Sequence, residues 1–130
     1  MGKEENEMSL FNRGKFVLHS GGESDWKIDC DALTDGDLET LAWLISNRVI
    51  FGKVIGIPTG GLRLAKSLEK YITKDSNTTL LVDDVLTTGD SMEKAKKEIG
   101  GRVSGVVLFT RTENCPIWIY PVFHFALDVG

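Results

Sequence analysis

The sequence predicts an α/β fold: a doubly wound, mainly parallel sheet with a small N-terminal β element. Three observations lead to this reading. The apolar runs at residues 54–57, 80–82 and 103–109 are nearly continuous rather than alternating, as in strands covered on both faces. Segments with helical apolar spacing separate them, giving the strand–helix–strand alternation of parallel sheets. A glycine pair, Gly21-Gly22, joins two short β-like runs ahead of this alternation.

Taken in order, residues 1–9 (MGKEENEMS) are charged and polar, with the composition of a flexible tail rather than a signal peptide. Residues 10–130 are expected to form one domain. Within it, a hairpin spans residues 15–30, with strands at 15–20 and 26–30. Thr34 or Asp35 can cap a helix whose apolar face is Leu38, Leu41, Ala42 and Ile45. A strand at 54–57 turns through Pro58-Thr59-Gly60-Gly61 into a helix over 62–72. The strand at 80–82 leads through Asp83 and Asp84 to a loop at 87–91, which opens a helix ended by Gly100-Gly101. A strand at 103–109 and two short strands at 117–120 and 123–127 complete the chain.

Length and composition set bounds on function. A chain of 130 residues is long enough to bury one core. With 19 acidic and 15 basic residues it offers no electrostatic case for a nucleic acid or an anionic membrane as partner. No apolar run approaches the roughly 18 residues of a membrane span. Two cysteines, Cys30 and Cys115, suit a reduced cytoplasmic protein better than an exported disulfide scaffold.

The most informative stretch is residues 80–92, LLVDDVLTTGDSM. Its strand would deliver Asp83 and Asp84 to the carboxyl edge of the sheet, where ligands gather in open α/β folds. Thr87, Thr88, Gly89, Asp90 and Ser91 then offer backbone N–H groups and hydroxyls at a helix N-terminus, a ready phosphate cradle. The acids would repel a phosphate, so they suit neutral hydroxyls or a bound cation. Together these parts describe a ribose 5-phosphate site. Asp90 must turn its carboxylate away from that phosphate.

At these residues the chain resembles the type I phosphoribosyltransferases, whose signature is an apolar strand, two acids, an apolar pair and T-T-G-x-S/T. The resemblance implies that Asp83 and Asp84 hold the ribose hydroxyls of phosphoribosyl pyrophosphate (PRPP) and act in catalysis. It also implies that residues 87–91 hold the 5′-phosphate, with Mg²⁺ bound through the substrate and Asp83 and Asp84 as candidate metal ligands. The loop Thr59, Gly60 and Gly61, one βα unit earlier, takes the position of the family's pyrophosphate loop, with Arg63 as an added phosphate contact. Residues 16–29 resemble the hood of orotate phosphoribosyltransferases, which covers the base; His19, Ser20 and Lys27 fall there. Arg111 ends a strand resembling their Asp-Arg strand, with Thr110 in place of the acid. Lys27 stands where an aromatic commonly flanks the base, which leaves the nucleobase open. A homodimer is implied by the resemblance alone.

Two other readings compete. GGLRLAKS at 60–67 nearly matches a P-loop but has Ala65 where glycine must let the loop curl, and Leu62, Leu64, Ala65 and Leu68 form a helical stripe. Receiver domains place paired acids early, with the phosphorylated Asp much later, whereas the pair here sits past mid-chain with no such partner downstream. One departure bears on turnover. Only 14 residues separate Ala65 from Leu80, too few for the mobile loop with a catalytic lysine and histidine that orotate enzymes carry. Lys66, Lys70 and Lys74 in this interval have the spacing of a solvated helix face. The resemblance thus implies Mg²⁺-dependent transfer of ribose 5-phosphate from PRPP to a small base, orotate-like, with release of pyrophosphate. A catalytically silent PRPP- or nucleotide-binding regulatory module is the alternative.

Overall fold

The computed structural model describes residues 11–17, 23–112 and 114–124. They form two compact units that divide between Asp35 and Gly36.

In the first unit β1 (Phe11–Val17) pairs antiparallel with β2 (Glu23–Ile28). The expected hairpin is present, but both strands begin earlier than the apolar runs at 15–20 and 26–30 suggest. Phe11, Asn12 and Arg13 pair with Ile28, Lys27 and Trp26, and a ladder of backbone bonds extends through polar residues that carry no apolar signal. The register slips between Arg13 and Phe16, around Gly14, a residue type suited to a bulge. Cys30 is not in a strand. Asp29 accepts a hydrogen bond from the Asp31 N–H at 3.1 Å and caps a single 3₁₀ turn, Cys30–Ala32. The expected tail at 1–9 lies outside the described residues.

The second unit is built on a four-stranded parallel sheet in the order β3 (Lys53–Gly56), β4 (Thr79–Leu86), β5 (Val103–Thr110), β6 (Ile119–His124). Before it, α1 (Asp35–Ser46) buries Leu38, Leu41, Ala42 and Ile45, the face its 3.6-residue spacing predicts. The helix after β3 is shorter than expected. α2 (Leu62–Leu68) gives way to a 3₁₀ turn at Glu69–Tyr71, so Lys74 does not share a helical face with Lys66 and Lys70. Lys70 instead pairs with Glu39 of α1. α3 (Asp90–Ile99) ends at Gly100, whose φ of 70° favours glycine.

Two strands differ from expectation. β4 runs eight residues rather than three and carries both acids within it, Asp83 opposite Val107. A single β6 replaces the two strands expected at 117–120 and 123–127; residues 125–127 lie outside the described residues. Pro121 sits inside β6 opposite Val107, as an edge strand permits when the missing N–H faces away from its neighbour.

Strand alternation assigns the two faces. Leu81, Val107 and Ile119, with Ile55 and Ile57, pack against Met92, Ala95 and Ile99 of α3. Gly56 looks the opposite way, where a Cβ would come within 3.0 Å of the Ala65 side chain of α2. On that second face Arg48, just past α1, lies 5.3 Å from the Tyr120 ring. Helices therefore cover both faces, as the continuous apolar strands require. The steps β3 to β4 and β4 to β5 run in the same direction across the sheet, yet α2 and α3 lie on opposite faces. Those two crossovers have opposite hands, a departure from the right-handed rule.

Among the described residues, no helix joins β5 to β6. Trp118 anchors this connection. Its Nε1 donates to Glu93 Oε2 of α3 at 2.8 Å, and Lys96 lies 4.9 Å from its ring. Gly105 makes room for it, since a Cβ there would be 2.7 Å from the indole.

Candidate active site

Four parallel strands place their carboxyl ends on one edge of the sheet, and the loop after β3 lies there against Val82 and Asp84 of β4. The Asp83-Asp84 pair stands at the last turn of the β4 pleat before that edge. Asp83 Oδ1 accepts from the Asp84 N–H at 2.8 Å, and Asp84 Oδ1 accepts from the Val85 N–H at 2.7 Å. Both residues are half-buried. Burial pushes the Asp83 carboxyl up to about 8, and its hydrogen bond with the Asp84 side chain and the charge of Asp84 act in the same direction. A backbone hydrogen bond with Asp84 acts the other way, and the net direction disfavours a full negative charge on Asp83.

The loop after β4 has the form of a phosphate cradle. Gly89 takes φ 88° at the N-cap of α3, a left-handed conformation that turns the chain sharply into the helix. Asp90 N–H donates to Thr88 Oγ1 at 3.3 Å, and Glu93 N–H donates to the Gly89 carbonyl at 2.9 Å. Early N–H groups of a helix lack intrahelical acceptors and point out of its N-terminus. Thr88, Asp90 and Ser91 are exposed, Thr87 is half-buried and Gly89 is buried. Arg111 N–H donates to the Leu86 carbonyl at 3.1 Å, so the Arg111 backbone lies beside the start of this loop.

The loop after β3 is held differently. The peptide between Pro58 and Thr59 is cis. Ile57 N–H donates to the Val82 carbonyl at 2.8 Å, and Gly61 N–H to the Ile57 carbonyl at 2.7 Å. Gly61 is buried against β4, and a Cβ on it would sit 2.4 Å from the Val82 carbonyl oxygen. Gly60 lies across the Asp84 carboxyl group, where a Cβ would be 2.2 Å from Oδ2. Thr59 and Arg63 are exposed near the same end of α2.

Of the predicted site residues, the structure brings together Gly60, Gly61 and Asp84, with Asp83 next in the chain and Arg111 beside the loop at 87–91. His19 and Ser20 lie outside the described residues, and of Lys27 only the backbone pairing with Asn12 is described. At the far end of the edge, Thr110 is fully buried and its Oγ1 accepts from the Thr112 N–H at 3.3 Å. A hydroxyl satisfied by its own turn thus occupies the place where the resemblance implies an acid. His124, which carries no local sequence signal, pairs with Thr110 in register, and its Nε2 lies 3.0 Å from the Thr112 carbonyl. Phe109 stacks on Phe123, with ring centroids 5.3 Å apart. Only strand register reveals either. Among the described residues, no three His, Cys, Asp or Glu side chains gather as a metal cage. Two adjacent carboxyls suit a hard cation held chiefly by substrate oxygens.

No family model matches the chain. It is 32% identical over 135 residues to an orotate phosphoribosyltransferase of Pyrobaculum calidifontis, covering 78% of this chain and 69% of the relative. It is 33% identical over 141 residues to an orotate phosphoribosyltransferase of Sulfurisphaera tokodaii, covering 85% and 71%. The chain belongs to the orotate phosphoribosyltransferase family. It is a phosphoribosyltransferase of type I, an enzyme by descent. The crystal structure of orotate phosphoribosyltransferase from Aeropyrum pernix superposes with a TM-score of 0.70 at 25% identity, covering 88% of each chain. That of the Mycobacterium tuberculosis enzyme, at 18% identity, shares the fold with a TM-score of 0.65 over 90% of each chain.

Proposed function

We propose that this enzyme transfers ribose 5-phosphate from PRPP to orotate or a closely similar base, with Mg²⁺ bound through the substrate and pyrophosphate released. The observation that supports this most is the contact of Gly60 with the Asp84 carboxyl, which sets a loop suited to pyrophosphate against an acid suited to ribose hydroxyls. In the reaction the bond from C1 of the ribose to pyrophosphate breaks and a bond from C1 to a ring nitrogen of the base forms. Positive charge develops on the sugar and negative charge on the leaving group, so fixed positions and nearby dipoles lower the barrier. Asp84 and Asp83 hold the ribose hydroxyls, residues 87–91 hold the 5′-phosphate, and Thr59, Gly60, Gly61 and Arg63 receive the departing anion. Mg²⁺, when bound, neutralises charge on the leaving group.

The connection between Ala65 and Leu80 leaves little chain for a loop that excludes water, so slow turnover is expected. No helix among the described residues is long and apolar enough to cross a membrane. From the family resemblance we infer a homodimer, and from the two free cysteines a reduced, cytoplasmic setting. Calorimetry with PRPP and Mg²⁺, paired with pyrophosphate release over a panel of bases, tests the reading. Orotate-dependent release is expected. Binding without release for any base would instead indicate a silent regulatory module, and absence of PRPP binding would overturn both. Asp84→Asn should weaken PRPP binding by roughly tenfold to a hundredfold, the loss of one or two charge-assisted hydrogen bonds.

A further inference from the structure

We propose that Gly60 is a positioning residue, whose lack of a side chain fixes the orientation of the Asp84 carboxyl and so couples the loop after β3 to ribose recognition. The inference rests on the site reading above but adds a role separate from direct contact with pyrophosphate. On one side the Val85 N–H holds Asp84 Oδ1 at 2.7 Å. On the other, the Gly60 main chain covers the whole carboxyl group: a Cβ at residue 60 would stand 2.2 Å from Oδ2, 2.4 Å from Cγ and 2.5 Å from Oδ1. These separations are far inside van der Waals contact, so a side chain at residue 60 and the present position of Asp84 exclude each other.

The loop has little room to give way. Ile57 N–H is tied to the Val82 carbonyl and Gly61 N–H to the Ile57 carbonyl, and Gly61 itself rests on the Val82 carbonyl. Gly60 is therefore bracketed by a segment bonded to the same strand that carries Asp84. A Cβ at residue 60 must turn the carboxyl away rather than lift the loop. An acid rotated off its hydroxyl partners loses their hydrogen bonds even though its charge is retained.

The test is a double-mutant cycle on the whole chain, read by calorimetric titration with ribose 5-phosphate and, separately, with inorganic pyrophosphate. Gly60→Ala is expected to weaken ribose 5-phosphate binding by about tenfold or more, a ligand that carries no pyrophosphate. In an Asp84→Ala background, which removes the carboxyl the methyl would strike, Gly60→Ala should cost nothing further. Additive losses, or a loss confined to pyrophosphate, would overturn the positioning role while leaving the site reading intact. If Asp84→Ala alone leaves ribose 5-phosphate binding unchanged, the site reading itself fails. Should Gly60→Ala unfold the protein, rescue of thermal stability by Asp84→Ala reports the same coupling, and failure of rescue rejects it.

Discussion

The two loops at the carboxyl edge both depend on glycine, for opposite reasons. In the loop after β3, Gly60 and Gly61 are required by crowding, because neighbouring atoms already occupy the space of a Cβ. In the loop after β4, Gly89 is required by backbone conformation. Its φ is 88°, and the nearest atom to a Cβ there would be Leu86 Cδ1 at an ordinary 3.6 Å. The first loop is a packed part of the sheet. The second is a turn whose left-handed glycine opens α3, with Thr88, Asp90 and Ser91 exposed around it. A packed loop suits a leaving group whose position must not drift, and an open helix terminus suits a phosphate that must enter and leave.

This difference predicts a hierarchy of effects. The largest falls on Gly61→Ala, whose methyl would meet a backbone carbonyl that cannot rotate away. We expect a loss of about 3 kcal/mol in urea unfolding, within the range of severe overpacking. A loss under about 0.5 kcal/mol would show that the loop is looser than its contacts imply.

Next is the pH dependence contributed by Asp83. Its carboxyl ordinarily titrates near 3.8 and is raised to about 8 in the folded protein. Between those values the folded state keeps a proton that the unfolded state has released, so this group's stabilising contribution, full below pH 4, is lost as pH rises through 8. Stability in urea unfolding should decline across that window, and Asp83→Asn should flatten the decline. An unaltered slope in the variant would remove Asp83 as the cause.

The smallest effect belongs to the open loop. Gly89→Ala should cost about 1–2 kcal/mol for the left-handed conformation, and Gly89→Asn less, since asparagine tolerates it. A larger loss for Gly89→Asn than for Gly89→Ala would mean that space rather than φ decides there, which would erase the contrast between the loops.

Much of this was legible from residue patterns because the signals are local. Leu38, Leu41, Ala42 and Ile45 repeat at helical spacing and are all buried in α1. The run LLVDDVLTTG announces a strand, a turn and a helix start, and β4, Gly89 and α3 follow in that order. Strand ends were read less well. The backbone ladder of β4 continues through Asp83 and Asp84, since pairing is made by main-chain groups indifferent to the side chains. The end of α2 at Leu68 also escaped, because the leucine stripe stops while residues able to continue a helix do not.

By itself the sequence determined the alternation of elements, the family to which the chain belongs and which residues are candidates for the site, all properties of neighbouring residues. Tertiary structure alone decided that α2 and α3 cover opposite faces, that Thr110 and His124 share a register, and that burial pushes the Asp83 carboxyl upward. It alone decided that Gly60, 24 residues before Asp84, would lie against its carboxyl. Such contacts depend on which strands become neighbours, and long-range pairing leaves no local trace in the order of residues.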